Sequence, residues 1–267
     1  MLKRIKNHIN YLYYKFLINT NSLIKDQRKN PLLIPIIIIN FNQLYYLKQL
    51  VDFLLTRGFQ NIIIIDNKSS YAPLLNYYKD IESKVIVEYM EENAGHLVFF
   101  ENKILHNKYG KGYFVVTDAD IVPNNNLPLN FMSIMINHLD KYFKRINKIG
   151  FALRIDDLPK EYILKDKVIK WEKRFWENHI EDNLYLNWID TTFALYKPNY
   201  PSLFKNISYL NGIRIGGDFT SKHGGWYIDN MNLTEEQQYY YDTVNSSSSW
   251  RLNKQGQHDS DEYDKFI

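Results

Sequence analysis

Two carboxylates, Asp118 and Asp120, stand two positions apart after an uncharged run, Tyr113-Phe114-Val115-Val116-Thr117, and before Ile121-Val122-Pro123. On an extended backbone residues i and i+2 point to the same side. Both side chains can therefore aim at one point beyond the end of a strand. Two carboxylates held that close repel, and next to apolar residues neither is well solvated. A divalent cation relieves both costs; oxygen ligands suit Mg²⁺ or Mn²⁺, ions that usually bridge to substrate phosphates. The alternative is a surface loop with two solvated aspartates.

The elements needed to position such a pair are legible upstream. Pro35-Ile36-Ile37-Ile38-Ile39 and Asn61-Ile62-Ile63-Ile64-Ile65-Asp66 are continuous β-branched runs, as expected of strands buried on both faces of a parallel sheet. Between them Leu44, Leu47, Leu50, Val51, Leu54 and Leu55 recur at helical spacing, and Gly58 sits at the expected C-terminal cap. A short helix from about Pro73, a strand at Val85-Ile86-Val87 and a helix opened by Asn93-Ala94-Gly95 and running to about Lys108 lead into the Tyr113 strand. This β-α-β-α-β-α-β order predicts a doubly wound α/β domain with a mostly parallel sheet and helices on both faces. Right-handed crossovers put every strand's carboxyl end on one edge, where ligands bind. Asn40 and Asn42, Asp66, Asn93 and Gly95, and Asp118 and Asp120 all fall there. Taken singly, Asn42 also reads as a helix cap and Asp66 as a turn residue.

A chain of 267 residues, 45% hydrophobic, is long enough for a large core. Cysteine is absent, which excludes disulfides and thiolate metal sites and fits a cytoplasmic setting. Residues 1–30 carry Lys3, Arg4, Lys6, Lys15, Lys25, Arg28 and Lys29 against Asp26 alone; that segment is +6 within a total of +3, so the remainder is −3. Such a core argues against a nucleic-acid partner. No apolar run approaches the ~20 residues of a membrane span. Residues 2–18 fit an amphipathic helix with Leu2, Ile5, Ile9, Leu12 and Phe16 on one stripe. A helix packed on its own domain is the favoured reading, and a membrane-surface helix attracted to anionic lipid the alternative. Residues 19–31 read as a linker, and 245–267, with Ser246 to Ser249, as a mobile tail.

The second half is looser. Phe131 to Phe143 reads as a helix, Lys148 to Asp156 as a strand and Trp188 to Tyr196 as another; Ile213 to Gly217 precede Lys222-His223-Gly224-Gly225-Trp226-Tyr227.

Asn40-Phe41-Asn42 after an apolar strand, Asp66-Asn67-Lys68-Ser69-Ser70, Glu92-Asn93-Ala94-Gly95 and Thr117-Asp118-Ala119-Asp120 together resemble the nucleotide-sugar half of a GT-A glycosyltransferase of the family-2 type. The likeness covers roughly residues 33–125. The segments Asp190 to Tyr196 and His223 to Tyr227 are similar to the acceptor half of some members. The resemblance implies a GT-A-like fold with residues 31–125 as the nucleotide-sugar half and 126–244 as the acceptor half.

It also implies a metal-dependent, inverting transfer from a nucleoside-diphosphate sugar, UDP first, to a glycan or other hydroxyl acceptor, as in polysaccharide biosynthesis, with Mn²⁺ or Mg²⁺. Asn40, Asn42, Asp66, Asn93 and Gly95 would hold the nucleotide. Asp118 would contact the ribose or the metal's water shell, and Asp120 would bind the metal with His223. Lys222 or Arg214 would neutralise the diphosphate. Asp190 is the candidate catalytic base, with Asp156 and Asp157 as rivals; the family's usual Glu-Asp pair is absent at that place. Trp171, Trp176, Trp188 and Trp226 are candidate sugar platforms, two of them at most. A nucleotidyltransferase, or an inactive sugar-binding or membrane-surface protein, is the alternative. The former wants a glycine-rich, basic phosphate loop, which Asn40-Phe41-Asn42-Gln43 lacks.

Overall fold

The computed structural model describes residues 2–190, 192–201 and 210–244; the expected tail at 245–267 lies outside them. In chain order the elements are α1 (Leu2–Thr20), α2 (Ser22–Lys29), β1 (Ile36–Asn40), α3 (Tyr45–Thr56), β2 (Ile62–Asp66), α4 (Ala72–Ile81), β3 (Ile86–Tyr89), α5 (Val98–Glu101), α6 (Lys103–Tyr109), β4 (Phe114–Asp118), β5 (Ile121–Pro123) and α7 (Phe131–Lys141). There follow β6 (Lys148–Phe151), α8 (Lys165–Lys173), β7 (His179–Glu181), β8 (Leu184–Trp188), β9 (Ala194–Tyr196), β10 (Asn211–Ile215), β11 (Ser221–His223) and α9 (Glu235–Thr243).

A 9-stranded sheet in the order β3-β2-β1-β4-β9-β6-β10-β8-β7 runs through the molecule. It is a mixed α/β fold with a large, mainly parallel central sheet, as expected. Strands β3, β2, β1 and β4 are mutually parallel. The isoleucine runs of β1 and β2 are buried at every position, because helices cover both faces. β9 enters antiparallel between β4 and β6, and so joins the two halves of the chain into one sheet.

Three local expectations change. The stretch Trp188 to Tyr196 is not one strand. β8 pairs with β10 near the far edge and β9 lies in the middle of the sheet, so the chain crosses between them at Ile189 to Phe193. The segment 19–31 is not a linker: Ser22–Lys29 is a helix whose N-cap, Asn21, accepts from the Ile24 amide. Its inward face carries Gln27, which pairs with both backbone groups of Tyr113 (2.8 and 2.9 Å). A polar residue at the buried position hides the apolar period. In α1 the inward face is that of Tyr14 and Leu17, while the stripe of Ile5, Ile9, Leu12 and Phe16 faces outward. The helix does pack on its own domain, the favoured reading, but through the face of Tyr14 and Leu17 and not through the expected stripe.

Candidate functional site: a carboxylate-lined cleft at the sheet edge

The carboxyl ends of β1 and β4 open into a cleft of about 940 Å³. β4 ends at Asp118 and the chain turns through Ala119 and Asp120 into β5. β5 pairs with β11 so that Ile121 faces His223. β11 is held from its other side: the Ser221 amide donates to the Ala152 carbonyl and the Ser221 carbonyl accepts from Arg154, each at 2.9 Å. This short ribbon carries His223 to Asp120 across about a hundred residues of sequence.

His223 Nδ1 stands 3.3 Å from Asp120 Oδ2, but it is buried and out of hydrogen-bond alignment with any protein group. The imidazole stacks on buried Trp226, with ring centres 4.6 Å apart and planes 10° from parallel. The Asp120 carboxylate accepts from the Gly225 amide (3.1 Å), and its carbonyl from the Gly224 amide (2.7 Å). Gly224 is required by space: a Cβ there would come within 2.3 Å of the Tyr46 ring. One on Gly225 would fit only tightly, 3.1 Å from the imidazole and 3.3 Å from Asp120 Oδ2, beside the pair.

The donor set fits a divalent cation of the Mn²⁺ kind: one carboxylate and one imidazole whose ring nitrogen has no other partner, with a glycine leaving the space open. No cluster of three or more His, Asp or Glu side chains able to hold a metal exists among the described residues. Asp118 lines the cleft but does not join Asp120 and His223 in such a group. Two protein ligands leave the rest of a coordination shell to water and phosphate oxygens.

The charge of the lining is one-sided. Asp118, Asp120, Asp190, Glu235 and Glu236 line the cleft, and no lysine or arginine does among the described residues. Glu236 is committed elsewhere, capping the start of α3 through the Leu44 and Tyr45 amides. Burial, with the Asp120 charge next in weight, pushes the Tyr46 hydroxyl well above its ordinary range, so it stays a neutral donor.

On the β1–β2 side the lining is amide-rich: Asn40, Gln43, Asn67 and Asn93. The side-chain oxygens of Asn40, Gln43 and Asn67 are buried with no hydrogen-bond partner in the protein, and buried polar groups left so are uncommon. Gly95 (φ 76°) and Asn93 form the opposing turn, held by Asn67 Nδ2 on the Gly95 carbonyl at 3.0 Å.

Other expected residues lie apart. Asn42 is buried outside the lining; its oxygen accepts from the Ser70 and Tyr71 amides and its nitrogen donates to Thr243. Asp66 is likewise occupied, by the Ser69 amide and the Tyr78 hydroxyl, each at 2.8 Å; its neighbour Asn67 is what faces the cleft. Lys222 points to Asp157 (3.6 Å) and Arg214 is buried against Glu172, so neither cation reaches the lining. Asp157 is held by Arg154 and Tyr227, and Asp156 is exposed beside Arg154. Asp190 does line the cleft and is exposed; buried Lys148 donates to its backbone carbonyl at 3.1 Å.

Among the described residues no tryptophan lines the cleft. Its aromatic surface is Phe41, Tyr45, Tyr46, Tyr71, Tyr227, Tyr240 and Tyr241. The last two come from α9, which sequence patterning does not reveal as a wall of the site.

No family model and no curated protein matches the sequence. Distant likenesses exist among solved structures. TarS 1-349 of S. aureus shares 14% identity over 61% of this chain at a TM-score of 0.38. The chain spans 46% of that protein's length. The mannosyltransferase PcManGT from Pyrobaculum calidifontis, in complex with GDP-Man and Mn²⁺, shares 11% over 90% of this chain and 72% of its own, with TM-score 0.43. A UDP-glucose pyrophosphorylase complexed with UDP-glucose shares 14% over 68% and 74%, with TM-score 0.32. The structural neighbours thus include a mannosyltransferase and a sugar-nucleotide pyrophosphorylase.

Proposed function

We propose that the chain is a glycosyltransferase that moves a sugar from a nucleoside-diphosphate donor to a hydroxyl acceptor, with a divalent cation held by Asp120 and His223. The observation that carries this reading is the pairing of Asp120 with His223 in a cleft lined by carboxylates and no lysine or arginine among the described residues. A diphosphate entering such a cleft unaccompanied meets carboxylates and no lysine or arginine among the described lining residues. With a cation it meets a counter-charge where imidazole and carboxylate converge. When bound, the cation would act as a Lewis acid on the diphosphate leaving group.

The chain's own groups account for the rest. The unpartnered amide oxygens of Asn40, Gln43 and Asn67 would take donors of the base and ribose, UDP first. Tyr46 and Tyr227 offer ring surface to the sugar. Asp190 would accept the acceptor's proton as the acceptor oxygen bonds to the anomeric carbon and the bond to the diphosphate oxygen breaks. That is a single displacement with inversion. The nucleotidyltransferase alternative requires basic side chains around a triphosphate, and the described lining supplies none.

Incubation with a panel of UDP- and GDP-sugars in Mn²⁺, read by mass spectrometry, tests the proposal. Release of a nucleoside diphosphate from at least one donor, abolished by Asp120→Asn, is expected. Release of a nucleoside monophosphate, or turnover of a nucleoside triphosphate with a sugar phosphate, would overturn it.

A further inference from the structure

Helix α1 has two apolar faces, and the fold uses one. Tyr14 and Leu17 are buried, and Tyr11 and Ile18 pack beside them. At about 100° per residue, Ile5, Ile9, Leu12 and Phe16 fall in a band roughly 60° wide on the opposite side. They are 50%, 58%, 56% and 60% exposed. At the same spacing Lys6 and Lys15 stand roughly 90° to either side of the band. Both are exposed, and the sequence adds Lys3 and Arg4 at the free end.

We infer that this face of α1 docks on an anionic lipid surface. Four large apolar side chains in line, flanked by cations on long stems, is the arrangement that sinks into a headgroup layer while the ammonium groups remain at the phosphates. Charge complementarity selects the occupant. Residues 1–30 are +6 and the rest of the chain is −3, so a second copy would bring one +6 segment against another. A nucleic acid would answer the charge but leave the apolar band unused. No helix among the described residues is long and apolar enough to cross a membrane, so the contact is peripheral.

The anchoring is firm where it meets the domain. Tyr14 meets Tyr113 hydroxyl to hydroxyl (2.6 Å), and Arg28 of α2 pairs with Asp140 (2.6 Å). Tyr113 precedes β4 and Asp140 lies at the end of α7, so the helix sits at the amino-terminal edge of the sheet. The cleft is at the carboxyl-terminal edge. Docking therefore leaves the cleft open to solution.

Sedimentation of the full chain with vesicles of phosphatidylcholine alone, or with phosphatidylglycerol added, tests the inference. Binding to the anionic vesicles alone is expected, weakening as salt rises because each cation near the surface contributes roughly fivefold. The double variant Ile9→Glu, Phe16→Glu should bind roughly tenfold or more weakly with its thermal midpoint retained, since neither side chain is buried. Absence of wild-type binding would overturn the inference. So would binding that falls with salt yet ignores the double variant, which indicates a general polyanion contact. Dimerisation that the double variant abolishes, with no vesicle binding, would assign the face to a second copy instead. None of these readouts depends on sugar transfer, so failure here leaves the proposed function standing.

Discussion

The two edges of the sheet treat their polar groups in opposite ways. At the amino-terminal edge the network is closed: Gln27 pairs with both backbone groups of Tyr113, and Arg28 bonds Asp140 and the Tyr113 hydroxyl, with Tyr14 bonded to both Tyr113 and Asp140. At the carboxyl-terminal edge it is left open: Asn40, Gln43, Asn67 and His223 each carry a buried atom with no partner in the protein. An unmade hydrogen bond to a buried group is expensive. The closed network under α1 and α2 serves stability, and the open groups at the cleft are placed for binding.

The largest expected effect breaks the open edge alone. Asp120→Asn or His223→Ala should lower sugar-nucleotide turnover roughly 100- to 1,000-fold, the usual loss when a main electrostatic stabiliser is removed. The unfolding midpoint should hold in Asp120→Asn, whose amide keeps an oxygen for the Gly225 N–H, whereas His223→Ala also loses the stack on Trp226. Breaking the closed edge should do the reverse. Asp140→Ala strands Arg28 and the Tyr14 hydroxyl and should cost about 2–3 kcal/mol in urea unfolding, with nucleotide affinity unchanged in the folded fraction.

Titration sharpens the contrast from the interior. Burial lowers Lys148 to about 7, with Asp190 pulling the other way, and burial alone lowers Lys197 to about 7. Each folded-state value lies below the unfolded one. The unfolded chain therefore binds more protons between about pH 7 and 10, and stability rises with pH across that window. Below it the penalty is full. Above it half-buried tyrosines such as Tyr77, raised by burial, reverse the slope. Denaturation at pH 7 and pH 9 should show a gain of about 1–2 kcal/mol per buried lysine, smaller in Lys197→Met. The smallest effect is expected from Gly225→Ala, whose Cβ would crowd both the imidazole and Asp120 Oδ2. Mn²⁺-dependent nucleotide affinity should fall about tenfold while affinity in EDTA stays as it was.

Sequence patterning reads the scaffold of the open edge well. Runs such as Ile36 to Ile39 and Ile62 to Ile65 can only be strands covered on both faces, and the crossover rule then delivers Asn40, Asn93, Gly95, Asp118 and Asp120 to one edge. It misreads elements whose position depends on partners distant in sequence. Nothing local reveals that β8 and β9 belong to different parts of the sheet, since both are short and apolar. The helix α2 hides because one of its two buried positions is Gln27, satisfied by Tyr113 86 residues away, which leaves Ile24 alone to mark the inward face. Asn42 and Asp66 have the right types at the right strand ends, yet the turns that build the edge consume them, and the cleft is left to Asn67 and Gln43.

The account rests on a cation-dependent nucleotide site at Asp120 and His223. Calorimetric titration of UDP into the wild type with Mn²⁺ and with EDTA, and into Asp120→Asn with Mn²⁺, tests it most directly, with GDP run alongside. The account predicts binding in Mn²⁺ that weakens at least about tenfold in EDTA and likewise in the variant. Equal affinity for the nucleotide under all three conditions would contradict it.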